Sequence, residues 1–202
     1  AEGFTGRARS LGAHAIEVLV TAPGRQSANG DKLARELRKA TGSPVHILSA
    51  DEEGRLAFAG AVAAARGLPE SVAGCDVGGG SAEVVVGTAE NGPAWLRSLD
   101  IGAVRLTERF LDGDPPTRRA LAGAREEVER HLEGFTPPLP QSALATGGTA
   151  RAVRKLVGWE LESEEVDAAL RILGKRPSAK AAKAVSLHEH RVRTLAAGIV
   201  IL

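Results

Sequence analysis

The sequence predicts an α/β fold with a mixed sheet. Short apolar segments alternate with helical periodicity as far as residue 67, three strand-like segments follow up to residue 99, and helical patterns fill most of the rest. Strands that alternate with helices favour parallel pairing, whereas strands joined by short turns favour antiparallel pairing. Both kinds of pairing are therefore expected in this chain.

In the first part of the chain, strand and helix signals alternate regularly. Pro23-Gly24 breaks the first strand, Asn29 and Gly42 bound the first helix, and Ser49 and Glu52 have capping-box spacing. The predicted elements are a strand over 16–21, a helix over 31–41, a strand over 45–48 and a helix from about residue 50 to near residue 67.

Two turns shape the next part of the chain. Gly78 to Ser81 joins two strands, and Asn91-Gly92 is a typical hairpin turn. The predicted elements are strands over 72–77, 83–87, 95–99 and 142–146, and helices over 103–111, 117–133, 149–157, 163–173 and 187–202. A boundary near residues 67–69 predicts domains 1–70 and 71–202.

The composition narrows the function classes. The net charge is +1 and aromatic residues make up 3%, which argues against nucleic acid as a partner. No apolar run approaches the roughly 20 residues of a membrane span, which argues against a membrane partner. One cysteine, Cys75, excludes an internal disulfide and fits a reducing compartment, and its mid-strand position predicts burial. The five histidines show no metal spacing, and His188 and His190 are predicted not to share a helix face.

The glycine turn after residue 77 is the strongest chemical signal. Successive glycines leave amide N–H groups free to surround phosphate oxygens. Asp76 before the turn and Glu83 after it would repel phosphate unless a divalent cation, most simply Mg²⁺, lies between them. A plain glycine-rich hairpin with two solvated acids is the alternative. The candidate phosphate-binding residues of this turn are Gly78, Gly79, Gly80 and Ser81.

A second glycine loop, with Gly147 and Gly148, follows a short strand and opens a helix. A helix N-terminus with small residues is a typical anion site. A tight turn with Thr149 as N-cap explains the pattern equally well. Because the chain has two such loops, a nucleotide or a phosphate chain is expected between them.

Two further residues are candidates for chemistry. Glu53 follows the capping-box acid but has no capping role itself, so it is a candidate general base. Arg25 lies between a strand end and a helix start, where it is placed to bind phosphate through two nitrogens. A solvated surface acid and a solvated loop arginine are the alternatives.

Four segments, in this order, resemble the exopolyphosphatase / guanosine pentaphosphate phosphatase (Ppx/GppA) family. They are TAPGRQSAN over 21–29, SADEEGRL over 49–56, DVGGGSAE over 76–83 and ATGGTAR over 145–151, with weaker likenesses over 102–110 and 197–202. The resemblance implies an actin–hexokinase–Hsp70 (ribonuclease H-like) fold of two domains with a mixed sheet. Residues 1–70 would be a remnant of domain I, which makes the first domain incomplete, and residues 71–202 would be domain II.

The resemblance also implies roles. Glu53 matches the family's catalytic base, which activates water, and Asp76 and Glu83 match the acids of the metal and water site, with Mg²⁺ as cofactor. Arg25 matches a phosphate-binding arginine. The turn from Gly78 to Ser81 and the pair Gly147 and Gly148 match the loops that hold phosphates.

Several positions depart from the family pattern. The family's N-terminal Asp-x-Gly-Ser loop is absent and the chain has no methionine, so the start is expected to be missing. Pro23-Gly24 replaces a small–aliphatic pair beside Arg25. The family glycine, threonine and C-terminal acid are replaced by Ala50, Ala82 and Arg193.

The implied reaction is Mg²⁺-dependent removal of the terminal phosphate from inorganic polyphosphate or guanosine pentaphosphate, in the cytoplasm. Sequence does not choose between these substrates, and it leaves a homodimer open. Two alternatives are a small-molecule kinase of the same fold and a non-catalytic polyphosphate or nucleotide sensor.

Overall fold

A computed structural model describes residues 1–202 of the chain, except for the side chains of residues 184 and 185. The chain divides into two compact units, Ala1–Glu53 and Gly54–Leu202. Each unit has its own sheet: two strands in the first and four in the second.

The first unit is built on a parallel strand pair. Its elements are α1 (Glu2–Ser10), β1 (Val18–Val20), α2 (Ala22–Arg25), α3 (Gly30–Thr41), β2 (Val45–Ile47) and the first turn of α4 (Ala50–Ala64). Val18 pairs with Val45 and Val20 with Ile47. Val20, Ala34 and Val45 form a small buried core, so the predicted strand–helix–strand order of this part is confirmed.

Local sequence signals fix most of the boundaries here. Gly42 ends α3 in the left-handed conformation at φ +63°, as predicted. The capping box is also confirmed, since Ser49 N–H donates to Glu52 Oε2 at 2.7 Å and Glu52 N–H donates to Ser49 Oγ at 3.1 Å. These bonds from Ser49 lower the pKa of Glu52. Pro23, expected only to break a strand, lies in the first turn of α2, where its missing N–H is tolerated.

The sheet of the second unit is mixed, as predicted. Its strands are β3 (Val72–Val77), β4 (Ala82–Thr88), β5 (Gly92–Leu99) and β6 (Ser142–Thr146), in the order β5-β4-β3-β6. Strands β3, β4 and β5 are antiparallel neighbours, and β6 runs parallel to β3 on its other side.

Helix α4 packs on this sheet from Gly54 onwards. A Cβ on Gly54 would lie 2.7 Å from Leu96 Cδ1, and Phe58 is buried against Gly74. Residues 54–70 therefore fall in the second unit. This differs from the predicted domains 1–70 and 71–202, because a helix that crosses the boundary buries its apolar side on the second sheet.

Six helices follow strand β5 or strand β6 along the chain. They are α5 (Ala103–Phe110), α6 (Arg118–Leu132), α7 (Gly147–Val157), α8 (Ser163–Leu173), α9 (Ser178–Val185) and α10 (Glu189–Ile201). Helix α10 contacts the other five, and its Ile199 lies in one large core with Val77, Leu106 and Val153. Among the described helices, none has the length and apolar character that crossing a bilayer requires.

Three helices were not expected from the sequence: α1, the short α2 and α9. Helix α1 has a single buried residue, Thr5, so it carries no apolar stripe to be recognised. Helix α9 buries Ala181 and Ala182, which contrast little with the alanines around them. Hydrophobic periodicity detects helices with large buried side chains. Helix α2 has only four residues, and the described side chains of α1 and α9 do not form that pattern.

We expect Ile199→Ala to lower the free energy of unfolding by about 2–5 kcal/mol, since Ile199 is 1% exposed at the centre of the core. Ile172→Ala is the matched control: Ile172 is 41% exposed on α8, and its loss should cost below about 1 kcal/mol. Urea unfolding followed by tryptophan fluorescence reports on the second unit, which holds both tryptophans. Equal losses for the two variants would contradict the packing of α10.

Candidate functional site

The glycine turn is held in place by helix α5. Gly78 N–H donates to Ser81 O at 3.0 Å, which closes the turn. The carbonyl oxygens of Gly78 and Gly79 accept hydrogen bonds from Ala103 N and Val104 N, at 2.9 and 3.0 Å. A Cβ on Gly102 would collide with the backbone of Gly79 and Gly80, so the helix start and the turn need this glycine.

This arrangement determines which backbone groups of the turn can bind an anion. The carbonyls of Gly78 and Gly79 accept from the first turn of α5, whereas the N–H groups of Gly79 and Gly80 donate to no other described residue. Unpaired N–H groups in a tight turn are suited to phosphate oxygens. The turn is therefore compatible with the predicted phosphate-binding role.

Asp76 and Glu83 lie directly opposite each other on β3 and β4. Cross-strand partners have Cβ atoms about 5 Å apart, so the two carboxyl groups are neighbours. Glu83 is 2% exposed and its Oε1 accepts a hydrogen bond from Ser98 Oγ at 2.9 Å. Both acids line a narrow space under α4 together with Gly54 and Thr146.

This donor set fits Mg²⁺. The ion is usually held by one or two carboxylates, with phosphate oxygens and water completing the shell. Asp76 and Glu83 supply two adjacent carboxylates at the end of the strands that carry the glycine turn. Among the described residues there is no group of three or more metal-binding side chains, so a dedicated protein cage is not formed by them. Magnesium itself stays a prediction.

The second glycine loop reaches the acid of the first. Gly147 begins α7 with φ +81°, and a Cβ there would collide with Asp76 Oδ1. The buried Thr149 donates through Oγ1 to Val77 O at 3.4 Å. Strand β6 runs parallel to β3, so the loops that follow both strands meet at the same sheet edge. The structure thus brings the two predicted loops together.

A pocket of about 180 Å³ lies between the two loops. Gly78 and Gly79 line one side, Gly148 and Thr149 another, and Arg191 comes from α10. Whole small-molecule ligands occupy pockets of about 300–1,000 Å³, so this space suits a phosphoryl group rather than a complete nucleotide.

Sequence reasoning missed Arg191. Its guanidinium makes no hydrogen bond or ion pair with any side chain that the structure describes, which leaves a positive charge at the rim of the pocket. Its position beside Gly148 depends on the packing of α10, and no local pattern signals this.

The pair His188 and His190 also differs from expectation: their rings lie 4.4 Å apart, because His188 is the N-cap of α10 and lies outside the helical repeat.

In the first unit, Arg25 and Glu53 form an ion pair. Arg25 Nη1 lies 2.9 Å from Glu53 Oε2, and the two side chains are 19% and 18% exposed. The same nitrogen donates to Leu48 O at 2.8 Å. The two residues meet because α2 and α4 begin after the adjacent parallel strands β1 and β2. Arg25, expected to contact phosphate, thus orients the carboxylate of the predicted base.

The comparison with known families decides the identity. The Ppx/GppA phosphatase family matches residues 2–202. The chain belongs to this family. It is 32% identical over 163 residues to Exopolyphosphatase 1 of Mycobacterium leprae, covering 77% of this chain and 47% of that protein. It is 37% identical over 141 residues to Exopolyphosphatase 2 of Mycobacterium tuberculosis, covering 68% of this chain and 43% of that protein.

The chain spans about half the length of these curated relatives. Solved structures of family members share its fold. An exopolyphosphatase-like protein superposes with a TM-score of 0.87 at 22% identity, over 99% of this chain and 69% of that one. An exopolyphosphatase from Cytophaga hutchinsonii gives 0.84 at 19%, over 99% and 70%. The Ppx/GppA enzyme of Aquifex aeolicus gives 0.75 at 22%, over 99% and 70%. These likenesses confirm the predicted α/β fold with a mixed sheet, as found in Ppx/GppA proteins.

Cys75 offers a test of the electrostatics beside the acid pair. It is partly buried against the helical core, and burial, followed by the carboxylates of Asp76 and Glu83, raises the pKa of its thiol to about 11. The folded state thus favours the neutral thiol. This preference stabilises the fold below the unfolded pKa of 9.0, and the stabilisation is lost as the pH rises from 9.0 towards 11.

With iodoacetamide, and without divalent cations, we expect the alkylation rate of folded Cys75 to rise by about tenfold from pH 9 to pH 10. In urea the alkylation rate should level off between pH 9 and pH 10, because the unfolded thiol has its ordinary pKa of 9.0. Asp76→Asn should move the pH profile of the folded protein towards lower pH. A folded-state profile that levels off at pH 9 would contradict this environment.

Proposed function

We propose that this chain carries the phosphate-binding and catalytic groups of a phosphohydrolase that removes the terminal phosphate of inorganic polyphosphate or guanosine pentaphosphate. The observation that carries the proposal is the meeting of the two glycine loops around one phosphate-sized pocket, with Asp76 and Glu83 at the ends of the same strands. Membership of the Ppx/GppA phosphatase family and the exopolyphosphatase names of the relatives support this reaction class.

The loops bind and orient the substrate. The N–H groups of Gly79 and Gly80 and the helix start at Gly148 donate to oxygens of the terminal phosphoryl group, and Arg191 adds positive charge at the rim. Phosphoryl transfer depends mainly on positioning and on neutralising charge, so these contacts supply a large part of the catalysis.

Glu53 is proposed as the general base. It accepts a proton from water as the water oxygen bonds to the terminal phosphorus and the bridging P–O bond breaks. Arg25 holds Glu53 Oε2, and within residues 1–53 the structure gives Oε1 no hydrogen-bond partner. Oε1 is therefore the oxygen proposed to take the proton.

Asp76 and Glu83 are proposed to hold Mg²⁺. When bound, this ion neutralises the charge on the phosphoryl oxygens. Without it, the two carboxylates would repel the substrate, which is why the proposal includes the cation. Cytoplasmic location and a homodimeric assembly stay predictions from the family resemblance.

A second candidate function is binding of polyphosphate or a nucleotide without turnover. The ion pair of Arg25 with Glu53 favours it, because an arginine that holds a carboxylate offers that nitrogen to neither phosphate nor water. Turnover by the purified protein, with either substrate, separates binding alone from hydrolysis.

Glu53→Gln should lower kcat for phosphate release by about 10²–10⁴-fold, because glutamine cannot accept the proton. Glu52→Gln is the matched control: the adjacent residue carries the same substitution, and glutamine also serves in a capping box. Its rate should stay within about threefold of the original. Equal rates for the Glu53 variant and the original would remove Glu53 from the mechanism.

Asp76→Asn should raise the Mg²⁺ concentration for half-maximal phosphate release by at least about tenfold, since a neutral amide is a poorer ligand than a carboxylate. The measurement is a magnesium titration of initial rate at saturating polyphosphate. Asp112→Asn, an exposed substitution in the same unit, should leave the titration unchanged. An unaltered magnesium requirement in the Asp76 variant would contradict its role as a ligand.

A further inference from the structure

A second cavity of about 510 Å³ lies between α6 and α8, and we call it the α6–α8 groove. It shares no lining residue with the pocket between the glycine loops. Its volume falls within the range of about 300–1,000 Å³ that is typical of small-molecule sites. No part of the proposed reaction uses it.

The walls of the groove are positively charged. Arg118, Arg125, Arg171 and Lys175 line it, together with a single carboxylate, Asp167. That carboxylate is paired with Arg125 at 3.0 Å. The charged ends of the other three make no hydrogen bond or ion pair with the side chains that the structure describes, and all three residues are exposed. Several unpaired cations around one concavity favour an anionic ligand.

The start of α6 adds to this preference. Its first turn contains no acidic residue and opens with Arg118 and Arg119. A helix N-terminus is stabilised by negative charge, so the charge of Arg118 is less unfavourable there when an anion is bound in the groove.

The floor of the groove is apolar. Leu121, Ala122 and Leu170 line it, and Leu170 is buried beneath it. A bare inorganic anion would leave this floor in contact with water. A ligand with both an apolar ring and phosphate groups would cover the floor and reach the cations on either side.

We propose that the α6–α8 groove is a second ligand site, and that it binds a nucleoside polyphosphate. The base lies on the floor formed by Leu121 and Ala122, and the phosphates contact Arg118, Arg171 and Lys175. This site shares no lining residue with the pocket between the glycine loops, so its occupant is distinct from a phosphate chain bound there. The proposal does not rest on the proposed function.

The test follows each site separately by NMR in the purified protein. GTP is the probe, and the amide signals of Ala122 and Gly174 report on the groove, while those of Gly79 and Gly148 report on the glycine loops. GTP should shift the groove signals with saturation. Inorganic tripolyphosphate, which lacks the base, should bind the groove at least about tenfold more weakly.

Variants on α6 provide the controls. Arg118→Ala should weaken GTP binding at the groove by about 5- to 10-fold. Arg119→Ala changes the same residue type in the same turn but lies outside the groove lining, and it should alter binding by less than about twofold. Ala122→Glu places a carboxylate on the floor at an exposed helical position that accepts glutamate, and it should abolish binding there while the fold is kept.

Three outcomes would overturn the proposal. Shifts at Gly79 and Gly148 alone would show that GTP binds only the glycine loops. Equal affinity for GTP and tripolyphosphate would show that contact between the base and the apolar floor adds nothing to binding. Equal effects of Arg118→Ala and Arg119→Ala would show general attraction to positive charge rather than a site.

Discussion

The hydrogen bonds between the glycine turn and the first turn of α5 hold the proposed site together. Gly78 O and Gly79 O accept from Ala103 N and Val104 N, which uses the carbonyl side of the turn. The N–H groups of Gly79 and Gly80 are left for a ligand. The same turn fixes the register of β3 and β4, and this register places Asp76 opposite Glu83. A side chain on Gly102 would displace both the helix start and the turn.

Parallel strand pairing brings candidate residues together twice in this chain. In the second unit, β3 and β6 are parallel neighbours, so the loops that follow them meet and Gly147 approaches Asp76. In the first unit, β1 and β2 are parallel neighbours, so the segments that follow them meet and Arg25 binds Glu53. Functional groups at the carboxyl ends of parallel strands are a general property of α/β sheets. Here each unit brings its own pair of candidate residues together by this means.

The sequence predicted the features that depend on local chemistry. Gly42 ends a helix because glycine adopts positive φ at low cost, and Ser49 with Glu52 begins one through side-chain bonds to the backbone. The mixed sheet and both glycine loops follow from short-range signals as well. All of these patterns lie within a few residues of the feature they predict.

Features that depend on packing could not be predicted in this way. The ion pair between Arg25 and Glu53 joins residues 28 positions apart, and no periodicity indicates it. Arg191 reaches the pocket because α10 packs against five other helices. Helix α4 crosses from one unit to the other, so turn signals near residue 67 did not locate the boundary between them.

The proposed reaction is attack of water on a terminal phosphorus at the paired glycine loops. The most direct measurement is phosphate release from polyphosphate in ¹⁸O-labelled water, with mass analysis of the free phosphate. If water attacks the phosphorus, each phosphate released carries one labelled oxygen, without any added acceptor. Phosphate that appears only on an added alcohol would contradict hydrolysis and indicate a kinase. Bound polyphosphate with no phosphate released at all would contradict it equally and indicate a sensor.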